Sequence, residues 1–250
     1  MNSFQTSNLI GGASSPVQRP GIRSETLVAA GIRNVTSSEA LTLVGFPNEG
    51  IIIPYQNIDG QPLMVNGRPF HRIRLNGVTS GARYLAPKDS GCQLYLPPGV
   101  TRLMATNPDT LIVVEGEFKA LALVEEGVPA VGVGGINSIC PRDSITDRAV
   151  LIPALAELLK RYPVKQLAFA GDNDTALIPG FAQEAVKLAQ LAGIPVVLPR
   201  IPFDAPGKAA DDLKEVWGAQ FLERWKKIMD GEVDPESWTG GEIKPKGSLR

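Results

Sequence analysis

The sequence has little cysteine and histidine, and this excludes several classes of protein. Its 250 residues include two cysteines and one histidine. Cys92 and Cys140 lie far apart and form no Cys-x-x-Cys pair, so neither a zinc finger nor a disulfide framework is predicted. Free cysteines are typical of a reducing compartment, and we expect a cytoplasmic protein. His71 has no nucleophile motif that points to it, which argues against Ser-His-Asp and Cys-His mechanisms.

Long apolar runs and an excess of charge are missing as well. No stretch reaches the roughly 18 apolar residues of a membrane-spanning helix, and the N-terminus lacks the apolar core of a signal peptide. We therefore expect no membrane contact. The formal net charge is −1, so a contact with nucleic acid would need a local basic patch.

The pattern of apolar residues divides the chain into four parts. Residues 1–23 are a flexible tail rich in Ser, Gly, Pro and Asn, and residues 24–106 are an N-terminal α+β unit. Residues 107–229 are a domain of alternating strands and helices, and residues 230–250 are a second tail. Alternating strands and helices predict right-handed βαβ crossovers, and therefore an α/β, Rossmann-like fold with a parallel sheet flanked by helices. Ser24 and Ser37 are the expected N-caps of two early helices, and residues 211–229 are expected to form one final helix.

The N-terminal unit carries a modest local excess of positive charge. Residues 69–75 alternate in polarity, which predicts a half-buried strand. Arg72 and Arg74 lie on this strand, and Arg83 follows it. Together with Lys208 these residues are candidates for contact with a nucleic-acid backbone. The alternative is that they are ordinary exposed cations.

Glu115 directly follows a buried apolar strand, residues 111–114, and precedes a helix. It therefore lies at the carboxyl end of a strand, where open α/β sheets bind their ligands. Gly116 allows a ligand to approach the backbone, and Lys119, one turn into the helix, can reach back to a phosphate. The simpler alternatives are an acid that stabilises the helix dipole and a solvated lysine.

Asp172 and Asp174 flank Asn173 after a second apolar strand. In an extended segment both carboxylates point the same way, and two such charges repel unless a cation lies between them. Together with Glu115 they predict a site for Mg²⁺ or Mn²⁺. Asp211, in a third acidic segment, is expected to contact this metal or its water, or else to cap the final helix. A solvated acidic turn is the alternative for the aspartate pair.

Gly134 and Gly135 follow another predicted strand. Their backbone N–H groups can form a nest for phosphate. A tight turn explains the same residues.

Taken together, these motifs resemble a known family. Residues 111–123, followed by Phe169-x-x-Asp172-x-Asp174, are similar to the TOPRIM fold shared by bacterial-type primases, type IA and II topoisomerases and OLD-type nucleases. Residues 115–120 and 208–212 most resemble a TOPRIM-like domain of phage and plasmid replication proteins, often described only as a domain of unknown function. The resemblance covers roughly residues 24–228.

This resemblance implies a division of roles within the acidic set. Glu115 would be the general acid/base, and Asp172 and Asp174 would bind Mg²⁺, in chemistry that depends on positioning and charge neutralisation. The chain departs from the family at Ala209, where glycine is usual. It also departs in lacking a cysteine/histidine zinc module and a Gly-x-x-x-x-Gly-Lys-[Ser/Thr] loop.

The expected function is thus metal-dependent phosphoryl or nucleotidyl transfer on nucleic acid in the replication of a phage, plasmid or other mobile element, and it is primase-like. Single-stranded DNA or RNA and nucleotides are the expected substrates, and a replicative helicase is a candidate partner. A TOPRIM-type nuclease and a non-catalytic DNA-binding module remain alternatives. Asp172-Asn173-Asp174-Thr175 also resembles the nucleophile motif of haloacid-dehalogenase-type phosphatases, although the stretch after Asp174 is short for that family.

Overall fold

Two four-stranded sheets, one in each half of the chain, and a two-stranded sheet in the N-terminal half make up the sheets of the computed structural model, which describes residues 16–78, 81–175 and 178–231. Within these residues, the N-terminal half holds an antiparallel sheet and the C-terminal half a parallel sheet flanked by helices. The prediction of an α/β fold with a parallel sheet is therefore confirmed. None of the helices in the described ranges is long and apolar enough to cross a bilayer.

The described part of the N-terminal half consists of six short strands and two helices. These elements are α1 (Ser24–Ala29), β1 (Arg33–Val35), α2 (Ser37–Val44), β2 (Gly50–Pro54), β3 (Met64–Val65), β4 (Arg68–Pro69), β5 (His71–Leu75) and β6 (Tyr84–Leu85). The antiparallel sheet has the order β1-β2-β5-β6. Ile73 on β5 packs with Val44 of α2 in a small core on one face. Because side chains alternate along a strand, Arg72 and Arg74 lie on the opposite face.

The C-terminal half alternates strands and helices. Its elements are α3 (Val100–Met104), β7 (Thr110–Glu115), α4 (Glu117–Glu125), β8 (Ala130–Val133), α5 (Pro153–Arg161), β9 (Gln166–Ala170), α6 (Pro179–Ala192), β10 (Val196–Val197), α7 (Ala210–Trp217) and α8 (Phe221–Asp230). The four strands are parallel, in the order β10-β9-β7-β8. β7 is buried on both faces, as its continuous apolar run predicts.

The two halves share one hydrophobic core. Ile53 and Phe70 from the antiparallel unit belong to the same buried cluster as Leu111 and Phe118 of the parallel unit. Tyr95 joins them further: its backbone exchanges two hydrogen bonds of 2.8 and 2.9 Å with Gly132 in β8, the edge strand of the parallel sheet, and its ring lies 5.1 Å from that of Tyr55, which follows β2. The antiparallel sheet is thereby held against the parallel one.

Part of the segment that the sequence predicts to be a flexible N-terminal tail is packed in the structure. Val17 and Ile22 are buried in the shared core, so the chain from residue 16 packs against the folded body. Their burial depends on tertiary contacts that polar local composition does not reveal. The rest of that predicted tail, residues 1–15, and residues 232–250 of the C-terminal one lie outside the described residues.

Three predictions about helices are wrong. Ser37 is the first residue of α2, and Thr36 is its N-cap, in a capping box with Glu39. Ser24 likewise lies inside α1, whose N-cap makes no side-chain hydrogen bond. The final helix is also interrupted, because Gly218, with a φ of 50°, ends α7 before α8 begins.

Candidate functional site

The parallel sheet has a switch point between β7 and β9. The chain passes from β7 to β8 on one side, then crosses to β9 on the other side and continues to β10. Open α/β sheets bind ligands in the crevice at the carboxyl ends of strands at such a point. Glu115 ends β7 here, and Asp172 follows β9.

A cavity of about 490 Å³ opens at this place, between the switch point and the arginine face of the antiparallel sheet. Its lining combines both charges. The basic residues are Arg19, Arg72, Arg74, Arg83, Lys119 and Lys208, and the acidic ones are Glu115, Glu117, Asp172, Asp211 and Asp212. The structure thus brings most of the predicted site residues together, including Gly116 and Gly134, which also line this cavity.

Glu115 is positioned by a sharp strand-to-helix turn. Gly116 has a φ of 108°, in the region that favours glycine, and its N–H donates a 2.8 Å hydrogen bond to the carbonyl of Val133. Burial raises the pKa of the Glu115 carboxyl above its ordinary value. Lys119 opposes this shift, and the charges of Asp172 and Asp174 add to it. The three predicted ligands therefore lie within electrostatic reach of one another.

The loop after β9 is a turn, and the prediction of an extended segment is wrong. The N–H of Thr175 donates a 2.9 Å hydrogen bond to the carbonyl of Asp172, and that of Asn173 donates to the carbonyl of Lys208 at 2.8 Å. Thr175 is buried against Gly171. This buried threonine anchors the turn, so Asp172 and Asp174 do not alternate as they would along a strand.

Each of these two aspartates contacts a lysine. The Lys119 ammonium donates to Oδ1 of Asp172 in a partly buried pair. Lys208 Nζ lies 3.4 Å from Oδ2 of Asp174 in an exposed pair. Lys119, Asp172 and Lys208 line the cavity, whereas Asp174 is not among its lining residues.

Asp211 is buried and paired with Arg19, a residue of the segment predicted to be a flexible tail. Arg19 Nη2 donates a 3.1 Å hydrogen bond to Asp211 Oδ2, and the guanidinium lies 4.8 Å above the ring of Phe118. The N-cap of α7 is Ala209. The alternative role of Asp211 as that cap is therefore wrong, and its pairing with Arg19 leaves its role toward a metal a prediction.

Arg72 is anchored, unlike a freely solvated cation. Its Nη1 donates a 2.6 Å hydrogen bond to Oε1 of Glu117, which also accepts a 2.7 Å hydrogen bond from the Tyr55 hydroxyl. Burial, followed by the charge of Glu117, raises the pKa of Tyr55 well above its ordinary value, so the phenol stays a donor. The Arg72 guanidinium also lies 4.7 Å above the ring of Tyr84.

Gly134 and Gly135 lie next to these charged groups. A Cβ on Gly134 would be 3.1 Å from Arg72 Nη1, and one on Gly135 would be 3.9 Å from Glu115 Oε1. The glycines thus leave space beside an arginine and a carboxylate. Their role as a phosphate nest stays a prediction.

Sequence reasoning missed three residues that line or support the cavity: Arg19, Tyr84 and Glu117. Glu117 had a signal, since it is the second acid of Glu115-Gly116-Glu117, but the start of a helix explains an acid there equally well. Tyr84 follows Arg83 and pairs across the sheet with Arg74. Arg19 carried no local signal.

The donor set suits a hard divalent cation by its chemistry. Carboxylate oxygens at strand ends are typical ligands of Mg²⁺ and Mn²⁺, and the lysines on Asp172 and Asp174 show that these carboxylates attract positive charge. No three His, Cys, Asp or Glu side chains in the described part of the chain are close enough to share one ion. Glu115, Asp172 and Asp174 are chemically suitable ligands, and to bind one ion they would have to move closer together while the aspartates leave their lysines.

Comparison with known proteins gives one match. The family model described as a domain of unknown function (DUF3854) matches residues 101–214. This segment runs from α3 into α7, and it contains Glu115, Asp172, Asp174 and Asp211. No curated protein and no solved structure matches the chain. The chain is thus similar, over somewhat less than half of its length, to a family whose description names no activity.

Proposed function

We propose that this protein catalyses metal-dependent phosphoryl or nucleotidyl transfer on nucleic acid, as a TOPRIM-type, primase-like component of the replication of a mobile element. One observation carries the proposal. Glu115 and Asp172, at the carboxyl ends of β7 and β9, line the same cavity as Arg74 and Arg83 of the antiparallel sheet. A cavity with carboxylates on one wall and arginines on the other suits a metal-assisted reaction of a phosphate.

The acidic wall would hold the metal. Glu115 and Asp172 of this wall, together with Asp174 from the adjacent turn, would bind Mg²⁺ or Mn²⁺, which would supply Lewis-acid chemistry and neutralise charge on the reacting phosphate. Glu115 is partly buried, and burial raises its pKa above the ordinary value, which favours a carboxyl that transfers a proton. Lys119 lies beside Asp172, where its ammonium can contact a phosphate oxygen.

The basic wall would hold the nucleic acid. Arg74 and Arg83 line the cavity, and Lys208 lies at its rim on the loop before α7. Arginine and lysine contacts to phosphates fix the position of a strand without reading its sequence. Such binding weakens as salt rises, because each phosphate contact releases a counterion.

Primer synthesis tests this proposal. The full chain is incubated with single-stranded DNA, labelled nucleotides and Mg²⁺ or Mn²⁺, and the products are separated on a denaturing gel. We expect metal-dependent extension products from the wild type and their loss in Glu115→Gln and Asp172→Asn. Glu157→Gln, in an exposed pair with Arg161, is the matched control and should retain activity.

Three further assays separate the alternatives. Metal-dependent shortening of end-labelled DNA, without extension, would identify a nuclease of the same fold. Binding of single-stranded DNA that survives EDTA and loss of Asp172 and Asp174, with no turnover, would identify a binding module. Phosphate release from p-nitrophenyl phosphate would favour the phosphatase.

A further inference from the structure

Three aspartates of the candidate site are each held by a cation from this chain. Asp172 pairs with Lys119, Asp174 with Lys208, and Asp211 with Arg19. The described residues give Glu115 no such ion pair. The carboxylates that would bind a metal are therefore engaged by internal positive charge before any metal arrives.

The Arg19–Asp211 pair is largely buried and held in place by the residues around it. The Asp211 side chain is 4% exposed, and the Arg19 guanidinium is fixed against the Phe118 ring. Gly21 packs so closely on Asp211 that a Cβ would lie 2.0 Å from the Asp211 carbonyl oxygen. Breaking this pair would leave a buried charge unpaired, which is costly.

The two lysine pairs are different. The Lys119 and Asp172 side chains are 19% and 31% exposed, and those of Lys208 and Asp174 are 67% and 51% exposed. Each lysine makes a contact through a single ammonium on a flexible stem. An exposed pair such as Lys208–Asp174 contributes little net energy, and the partly buried Lys119–Asp172 pair still reaches solvent, so a stronger cation can displace either lysine.

We propose that Lys119 and Lys208 are exchangeable counter-cations, which leave Asp172 and Asp174 when a divalent ion binds and then contact the phosphate of the substrate. This inference rests on the proposed function, because it uses the same metal site. It adds that metal and phosphate bind cooperatively. The ammonium groups of Lys119 and Lys208 couple the binding of the metal to the binding of the phosphate.

The physical reason is charge balance. An ammonium and a divalent ion cannot both lie at bonding distance from the same carboxylate oxygen, since they repel each other. A displaced lysine remains at the cavity wall as an uncompensated cation, and a tetrahedral anion compensates it. By linkage, the anion then raises the affinity for the metal by the same factor as the metal raises the affinity for the anion.

Titration of Mn²⁺ into the full-length protein tests the exchange. Electron paramagnetic resonance distinguishes free from bound Mn²⁺, so the measurement does not depend on enzymatic activity. We expect Lys119→Met to bind Mn²⁺ about tenfold more tightly than the wild type, because the competing cation is gone; this is ~1.4 kcal/mol. Asp172→Asn should abolish this binding, which identifies the site.

A matched control separates exchange from a general change in charge. Arg74 lines the same cavity, and the described residues include no ion pair that it makes. Arg74→Met removes one positive charge without freeing a carboxylate, so it should tighten Mn²⁺ binding by less than about twofold, as expected for a screened charge. Lys208→Met, at an exposed pair that tolerates substitution, should tighten binding by about threefold, in line with a weaker contact.

Sulfate tests the coupling, because it is a tetrahedral dianion that binds Mn²⁺ weakly. At equal ionic strength, replacing chloride by sulfate should tighten Mn²⁺ binding to the wild type by about threefold or more, as linkage requires. The Lys119→Met/Lys208→Met double variant should lose this effect. A sulfate effect that persists in the double variant would overturn the coupling.

The failure of this inference differs from the failure of the proposed function. Wild-type protein that binds Mn²⁺ through Asp172, with Lys119→Met unchanged or weaker, overturns the exchange and leaves the metal site standing. Equal tightening by Lys119→Met and Arg74→Met also overturns the exchange. Wild-type protein with no Mn²⁺ binding that depends on Asp172 overturns both proposals.

Discussion

Arg72 and Glu117 form an ion pair between the two sheets, with Nη1 2.6 Å from Oε1. Arg72 belongs to β5 of the antiparallel sheet, and Glu117 opens α4 directly after the switch point of the parallel sheet. The Glu117 side chain is 1% exposed, and its Oε2 has no hydrogen-bond partner among the described residues. This pair fixes the basic wall of the cavity relative to the acidic wall.

Glu117→Ala should therefore destabilise the protein. Removal of the carboxylate leaves Arg72 largely buried and unpaired, and loss of one partner of a buried pair costs about 3 kcal/mol. Urea unfolding followed by circular dichroism measures the free energy of unfolding. Glu157→Ala, which breaks an exposed pair with Arg161, is the control and should change that free energy by less than about 0.5 kcal/mol. Equal losses in the two variants would contradict the role of Glu117.

Gly134→Ala should weaken binding of single-stranded DNA. The new Cβ would lie 3.1 Å from Arg72 Nη1, and Glu117 prevents the guanidinium from moving away freely. We expect about fivefold weaker binding of a labelled oligothymidylate, which is ~1 kcal/mol, measured by fluorescence anisotropy. Gly135→Ala makes only ordinary contacts of 3.8 and 3.9 Å and should bind like the wild type. The same loss in both variants would show that the position of Arg72 is not the cause.

Glu125 should contribute stability that is lost in acid. Burial favours its protonated form, but hydrogen bonds from Lys214, Thr26 and the Arg23 backbone outweigh burial and lower its pKa below 4.5. A carboxyl whose pKa is lowered by folding stabilises the protein above its unfolded pKa, and this stability disappears as the pH falls through the folded value.

The variant Glu125→Gln tests this pH dependence. At neutral pH it should lose about 2 kcal/mol, as the loss of a hydrogen bond to a charged group does, because the Glu125 side chain is 1% exposed and paired with Lys214, which keeps Glu126 as a second partner at 2.9 Å. The difference from the wild type should shrink as the pH is lowered through the acid range, in urea unfolding series at several pH values. A difference that is constant with pH would refute the ion pair as its origin.

Gly21→Ala should show whether the N-terminal segment is packed as described. Gly21 has a φ of +70°, and its Cβ would lie 2.0 Å from the Asp211 carbonyl oxygen. We expect a loss of about 3 kcal/mol in the free energy of unfolding, from backbone strain and overpacking together. Gly60→Ala isolates the strain, because Gly60 has a φ of +76° with open space around it, and should lose about 1 kcal/mol. Similar losses of unfolding free energy in the two variants would mean that the segment around Gly21 moves away from Asp211 and accommodates the new Cβ.

The alternation of strands and helices could be predicted because it depends on local pattern. The run from Leu111 to Val114 is apolar throughout, as a strand buried on both faces must be, and Gly116 follows it where the backbone turns sharply. Together these features placed Glu115 correctly at the end of β7. The same reasoning placed Asp172 after β9.

Features that depend on tertiary contacts could not be predicted in this way. Arg19 and Val17 lie in a polar segment, and they are ordered only because α7 and the core offer them partners. The turn after β9 depends on burial of Thr175 beneath Gly171. Glu117 looks like an ordinary helix-start acid until Tyr55, distant in sequence, is brought to its carboxylate.

Incorporation of labelled nucleotides on single-stranded DNA, compared between wild type and Glu115→Gln at matched DNA occupancy, tests the central claim most directly. We predict metal-dependent incorporation by the wild type. We also predict a loss of at least about 100-fold in the variant, the usual minimum for removal of a general acid/base, with single-stranded DNA affinity retained. Equal incorporation by both proteins, or incorporation by the wild type that persists in EDTA, would contradict it.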